Sequence, residues 1–226
     1  GRSALAANTT ASYNTAVGKS ALGANTTGPN NTAVGSIALD ACTTGDSNVA
    51  IGYAALTDLS DQDNSTAVGA LAGENAVGES NAFLGYAAGK GASSGCNGTF
   101  NVAMGRNAFT AFTSGGNNTC VGRNAGESLT TGSNNIFIGF DSGTASSPNG
   151  IHIADSNRIV VGNNSITDFH CKVSVTATSD KRDKADITDF TKGLDIVNSL
   201  RPVTYKWDMR SDYSNDLSVT PDGTYK

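Results

Sequence analysis

The chain has 226 residues, 27 of them Gly and only 7% aromatic, with a formal net charge of −5. So few large apolar side chains rule out an ordinary packed enzyme, and a non-repetitive chain of this composition would not offset its ordering entropy. The 15 Lys and Arg form no basic stripe, which removes nucleic acid as a partner, and no apolar run approaches the ~20 residues that membrane insertion by a helix requires.

What rescues the composition is repetition over residues 1–150. A glycine recurs at Gly1, Gly18, Gly35, Gly52, Gly69, Gly85, Gly105, Gly122 and Gly139, in steps of 17, 17, 17, 17, 16, 20, 17 and 17. The residue before it is always large and aliphatic or Met, from Val17 to Ile138. Two before it stands Ala, except where Phe83, Cys120 and Phe137 replace it, and four before it stands Asn, with Ser65 the one exception. Three after it comes Ala, or Ser142 in the last copy. Two columns of small residues predict two short strands per repeat, joined by turns whose Gly and Asn tolerate positive φ.

A 17-residue period is too short for helical pairs or propeller blades and suits one coil of a β-solenoid. Strands of successive coils then pair at ~4.8 Å, so nine coils span roughly 40 Å and like residues stack on like. The Asn column becomes a ladder of side-chain amides along the axis, and the Val/Ile column a continuous apolar spine. The Ala on the opposite strand face is too small to cover a surface. Charges are also sparse here, 14 in residues 1–150 against 21 in the last 76. Both strand faces are therefore expected to be buried, one inside the coil and the other against sister chains, with three chains preferred. Gly1, Ala4 and Leu5 already fit the columns, so the chain is read as a piece of a longer fibre.

"NTAVGKSALGANTTGPNNTAVG" resembles the repeats of phage tail fibres and related viral fibres and, more distantly, the coils of trimeric bacterial adhesin heads. That resemblance covers residues 1 to about 145 and implies a mostly β, homotrimeric β-solenoid of the β-roll or triple β-helix kind.

From residue 151 the glycine column stops, and alternation at Ile151 and Ile153, then at Val173 and Val175, predicts short strands of a β neck over 151–178. Cys42, Cys96, Cys120 and Cys171 lie far apart and are expected to be small buried fillers, and with His152 and His170 isolated, neither a metal site nor a cofactor is predicted. Residues 179–226 change style again. Phe190, Leu194 and Val197 fall at helical spacing behind a capping Asp189, Pro202 ends the helix, and Val203, Tyr205 and Trp207 alternate as a strand.

This α+β segment resembles the C-terminal intramolecular chaperone of endosialidases and other phage tailspikes and fibres. Ser179, Asp180, Arg182 and Lys184 fit its Ser-Asp-x-Arg-x-Lys motif, and Leu200, Pro202, Val203, Tyr205 and Trp207 fit the strand that follows the helix. The resemblance implies a domain that trimerises the chain, brings the fibre into register and cuts itself off between Thr178 and Ser179. Ser179 would attack the Thr178 carbonyl with Lys184 as base, since a desolvated Lys can replace His in activating a hydroxyl. Asp180 and Arg182 would orient the peptide. Apart from the resemblance, "SDKRDK" reads as a solvated charge run. The family's chaperone runs on well past the point matching Lys226, so self-cleavage is expected to require the remainder.

The resulting expectation is a structural, receptor-binding tail fibre, assembled in the host cytoplasm and carried on the virion. Its partners would be its own copies and a host cell-surface glycan or protein receptor. The alternatives are a trimeric adhesin head, which lacks the chaperone motif, and a fragment of a capsule-degrading tailspike enzyme. For the latter the clustered Asp58, Asp61 and Asp63 read as a solvated loop rather than a carboxylate pair. An ice-binding face built on the Thr-Thr pairs is interrupted at 58–63 and again at 92–98.

Overall fold

The computed structural model describes residues 1–148 and 150–172. The expected helix at 190–200, the strands around Val173 and Val203, and the Thr178–Lys184 motif lie outside them. Residues Gly1–His170 form one compact unit. Among the described residues there is no helix, and nine strands of three residues stack in sequence order: β1 (Thr15–Val17), β2 (Thr32–Val34), β3 (Val49–Ile51), β4 (Thr66–Val68), β5 (Ala82–Leu84), β6 (Val102–Met104), β7 (Thr119–Val121), β8 (Ile136–Ile138) and β9 (Ile159–Val161). All eight pairings are parallel and in register, so Ala16 lies over Ala33 and Val17 over Val34. This is a parallel β-solenoid with one strand per coil.

The second expected strand is absent. The Ala21/Ala38/Ala55 column lies in an arc whose backbone alternates handedness, with Ser20, Ile37 and Ala54 at φ 54 to 56° and Leu22, Leu39 and Leu56 at φ 50 to 51°. An extended chain cannot hold positive φ at every second residue, so no ladder strand forms. The arc nonetheless bonds coil to coil: Leu22, Leu39 and Leu56 each donate N–H to the Ala carbonyl of the following coil at 3.0 Å. Left-handed backbone costs a Leu about 1–2 kcal/mol, whereas burying its side chain returns about 1.5–3 kcal/mol, so packing wins.

The column glycines are required twice over. From Gly18 to Gly122 they sit at φ 130 to 145°, and a Cβ there would run into the carbonyl of the column glycine one coil on. A side chain is excluded by both torsion and space.

The strand faces fall the other way from a core built on the aliphatic column. The Ala column turns inward and is buried, while Val17, Ile51, Leu84, Met104 and Ile138 point outward and stay half-exposed. The Ala column suffices because Leu22, Leu39, Leu56, Leu59, Phe109, Phe112 and Leu129 reach it from the arcs. Phe83 and Phe137 are core residues, as expected. Around them the arc residue four after the column glycine is itself Gly: a Cβ at Gly73 would lie 2.9 Å from the Phe83 ring, one at Gly89 would enter that ring, and one at Gly143 would lie 2.6 Å from the Phe137 ring. Phe83 lies between arc glycines Gly73 and Gly89 and Phe137 between Gly126 and Gly143, whereas Ala33 and Ala50 lie between arc leucines Leu22, Leu39 and Leu56.

The buried Asn column is a ladder, but chiefly between amide and backbone. Asn48 N–H donates to Asn31 Oδ1 at 2.9 Å and Asn118 N–H to Asn101 Oδ1 at 3.0 Å, while Nδ2 of Asn31 and Asn118 donate to the turn carbonyls of Gly45 and Gly132 at 2.7 and 2.9 Å. Within this column direct amide-to-amide bonds join Asn118 to Asn101 and Asn135 to Asn118, and outside it Asn134 to Asn157. The backbone N–H, aimed along the axis, takes the acceptor first.

Irregular steps are absorbed outside the core. In the 20-residue step, Ala92 to Gly95 are exposed and Cys96 returns to bridge Ala76. Past residue 150 the stacking continues: β9 pairs with β8, Val160 extends the inner column, and Arg158 N–H closes the end of the Asn ladder by donating to Asn135 Oδ1 at 3.0 Å. Ile151 and Ile153 are not in a strand. His152 is buried instead, its ring centre 5.8 Å from that of Phe137 and its Nδ1 2.6 Å from Asp155. Cys42, Cys96 and Cys120 are buried fillers; Cys171 is exposed, because it lies past the last coil.

Candidate functional site

Period-two geometry sets the outward chemistry of the solenoid. In each three-residue strand the first and third side chains face out, giving apolar pairs at Val49/Ile51, Val102/Met104, Ile136/Ile138 and Ile159/Val161, and Thr beside Val in β1, β2, β4 and β7. In the apolar pairs Val49 is partly buried, and the other seven are exposed, from 36% at Val102 to 72% at Ile159. Between β4 and β6 the small Ala82 leaves a shallow groove of about 170 Å³ walled by Thr66, Val68, Leu84, Val102 and Met104. No charged residue stands on this face in β1 to β9. Apolar side chains are costly to leave in water, which makes this face the candidate association surface.

One position further on, after the column glycine, runs a second ladder: Lys19, Ser36, Tyr53, Ala70, Tyr86, Arg106, Arg123 and Phe140. Its carbonyls accept from the next coil, as in Asn107 N–H to Tyr86 O and Asn124 N–H to Arg106 O, both at 3.0 Å. The Arg106 guanidinium lies 5.9 Å from the Tyr86 ring centre and that of Arg123 5.1 Å from Phe140. Sequence reasoning missed this ladder because it followed columns of constant residues. Reading the variable column beside them would have found it.

The thiols are chemically quiet. Burial pushes the Cys120 thiol up to about 12 and the Cys42 thiol to about 11, the latter helped by Asp63 and Asp61 and opposed by its contact with the Gly45 carbonyl. Neither is a nucleophile near neutral pH. Asp40 is raised by burial, with Asp58 adding to it. The residues chosen for self-cleavage, Ser179 and Lys184 with Asp180 and Arg182 in support, lie outside the described residues, so their geometry adds nothing to the motif.

Residues 179–220 match the family described as Chaperone of endosialidase, and the match begins on Ser179. No curated protein and no solved structure matches the chain. The combination of that segment with a parallel β-solenoid fits a phage tail-fibre or tailspike type of protein. The chain thus carries, after a β-solenoid, a segment that matches the chaperone-of-endosialidase family.

Proposed function

We propose that the chain is a homotrimeric tail-fibre shaft of a virus, used in attachment to the host cell, whose C-terminal segment assembles the trimer and severs itself between Thr178 and Ser179. The observation that carries the reading is the uncharged outer face, whose column from Val17 to Val161 is aliphatic or Met in all nine strands, in the same chain as the chaperone segment. Sister chains packed on that face would bury what a lone coil leaves wet, each half-exposed Val, Ile, Leu or Met contributing on the order of 1 kcal/mol. A trimer then multiplies weak contacts with surface glycans or proteins through effective concentration. Within the chaperone segment Ser179 Oγ attacks the Thr178 carbonyl while Lys184 takes the hydroxyl proton. The Thr178–Ser179 amide bond breaks as the proton passes to the released Ser179 amine, and water then hydrolyses the ester, which separates the finished shaft from its assembly factor.

Sedimentation equilibrium tests the assembly. The chain is expected to run as a trimer, and Ile51→Asp with Met104→Asp, which place charges on the outer face without touching the core, are expected to give folded monomers. A wild-type monomer at micromolar concentration sinks the proposal. Electrophoresis of the chain extended by a complete chaperone, beside its Ser179→Ala and Lys184→Ala variants, tests the cleavage. Identical migration of all three removes the dyad.

A further inference from the structure

The ladder that follows the column glycines holds a run of four rungs in symmetric order: Tyr86, Arg106, Arg123 and Phe140, aromatic at the ends and cationic between. At the coil spacing of ~4.8 Å this run is about 14 Å long. Each guanidinium lies against its neighbouring ring, 5.9 Å from Tyr86 and 5.1 Å from Phe140, a contact that orients the planar fork in advance. Among the described residues neither Arg106 nor Arg123 has a carboxylate within salt-bridge reach, although the chain is acidic as a whole. Their donors are therefore open to an incoming anion. Tyr86 and Phe140 remain 50% and 49% exposed, and Tyr53, two rungs from Tyr86, 55%. The small Ala70 between the two tyrosines leaves a step about 10 Å long.

We propose that this ladder binds a linear polysaccharide bearing carboxylates on its rings, laid along the solenoid axis. Sugar rings stack on Tyr53, Tyr86 and Phe140, and carboxylates accept paired hydrogen bonds from Arg106 and Arg123. The inference rests on the attachment-fibre reading and gives its receptor a chemistry. The rungs repeat at ~4.8 Å, close to the length of one sugar ring, so successive residues of a polymer meet successive coils. An extended acidic peptide fits less well. It would seek main-chain partners, and the ladder's carbonyls already accept from Leu71, Asn107 and Asn124.

The test measures binding of the chain to polygalacturonate, with neutral dextran and poly-glutamate as controls. Polygalacturonate is expected to bind and dextran not to, and Arg106→Glu with Arg123→Glu is expected to weaken binding at least about tenfold while sedimentation and circular dichroism stay unchanged. Tyr53→Ala with Tyr86→Ala should weaken it without altering its salt dependence. Absence of polygalacturonate binding, equal capture of poly-glutamate, or affinity unchanged in the double Arg variant overturns the proposal. A trimer that ignores polygalacturonate overturns the ladder and leaves the fibre standing. A monomer that binds it through Arg106 and Arg123 supports the ladder and overturns the fibre.

Discussion

The coils at β2 and β3 and the coils at β5 and β8 fill the same cross-section in opposite ways. In the first pair the strand contributes Ala33 and Ala50, and the arcs contribute Leu22, Leu39 and Leu56 in left-handed backbone. In the second the strand contributes Phe83 and Phe137, and the arcs contribute Gly73, Gly89, Gly126 and Gly143, which take positive φ without strain. One arrangement bends an unwilling backbone to bring a side chain in from the rim. The other relaxes the rim and fills the space from the strand. The difference teaches that filling is shared between a strand position and the arcs on either side of it, and is not fixed by the residue at any single position.

The largest effect expected from breaking this rule is at Gly89. A Leu there meets the Phe83 ring from a left-handed backbone, and overpacking with added strain should cost about 3–5 kcal/mol in denaturant unfolding. Combined with Phe83→Ala, which installs the arrangement of β2 and β3, the same Leu should recover most of that loss. Additive losses in the double variant would show that the two arrangements do not exchange. The reverse change, Leu39→Gly, empties a fully buried site and should cost about 2–4 kcal/mol. That is less than an ordinary cavity of the same size, because about 1 kcal/mol of backbone strain is released with it. A loss matching that of Leu59→Ala would show that the strain is negligible.

The smallest effect separates the two regions by pH. Cys42, near β3, is raised to about 11 and Cys120, against Gly126 beneath Phe137, to about 12, both from 9.0 and both first through burial. Because the folded thiols hold their protons longer than the unfolded ones, their contribution is complete below pH 9. It is lost as pH rises toward 11 and 12. Unfolding curves at pH 8 and pH 10.5 should differ, and Cys120→Ala, the residue of most of the column, and Cys42→Ala should each shrink the difference. At pH 8, iodoacetamide should modify Cys171 in the folded chain well before the other three.

Much of this was legible in the spacing. Gly, Ala and Asn recur at fixed offsets because each is demanded by contact with its own copy, through close backbone approach, burial and the amide ladder respectively. The arc was misread as a strand because Leu22 and Ile37 carry no sign of left-handed backbone, which stacked coils impose against local preference. Which strand face lies inside was equally hidden: Ala16 and Val17 alternate either way, and only the Leu residues arriving from the arc decide it. The exchange of Leu for Gly opposite Phe83 and Phe137 was in plain view and is found by reading two columns jointly. At the C-terminal motif the residues alone suggested a charge run, and the resemblance chose Ser179, where the family match also begins.

One strand per coil, paired only with its two neighbours, has a consequence for how such a protein changes over generations. Length comes in indivisible units: removing residues 36–52 as a block rejoins Gly35 to Tyr53 and should shorten the rod by about 4.8 Å with every ladder intact. Units drawn from beside Phe83 cannot be transplanted so freely, since each brings a hollow that only an aromatic neighbour fills. Duplication should therefore favour the plain copies, leaving the aromatic ones as fixed landmarks along a rod of variable reach.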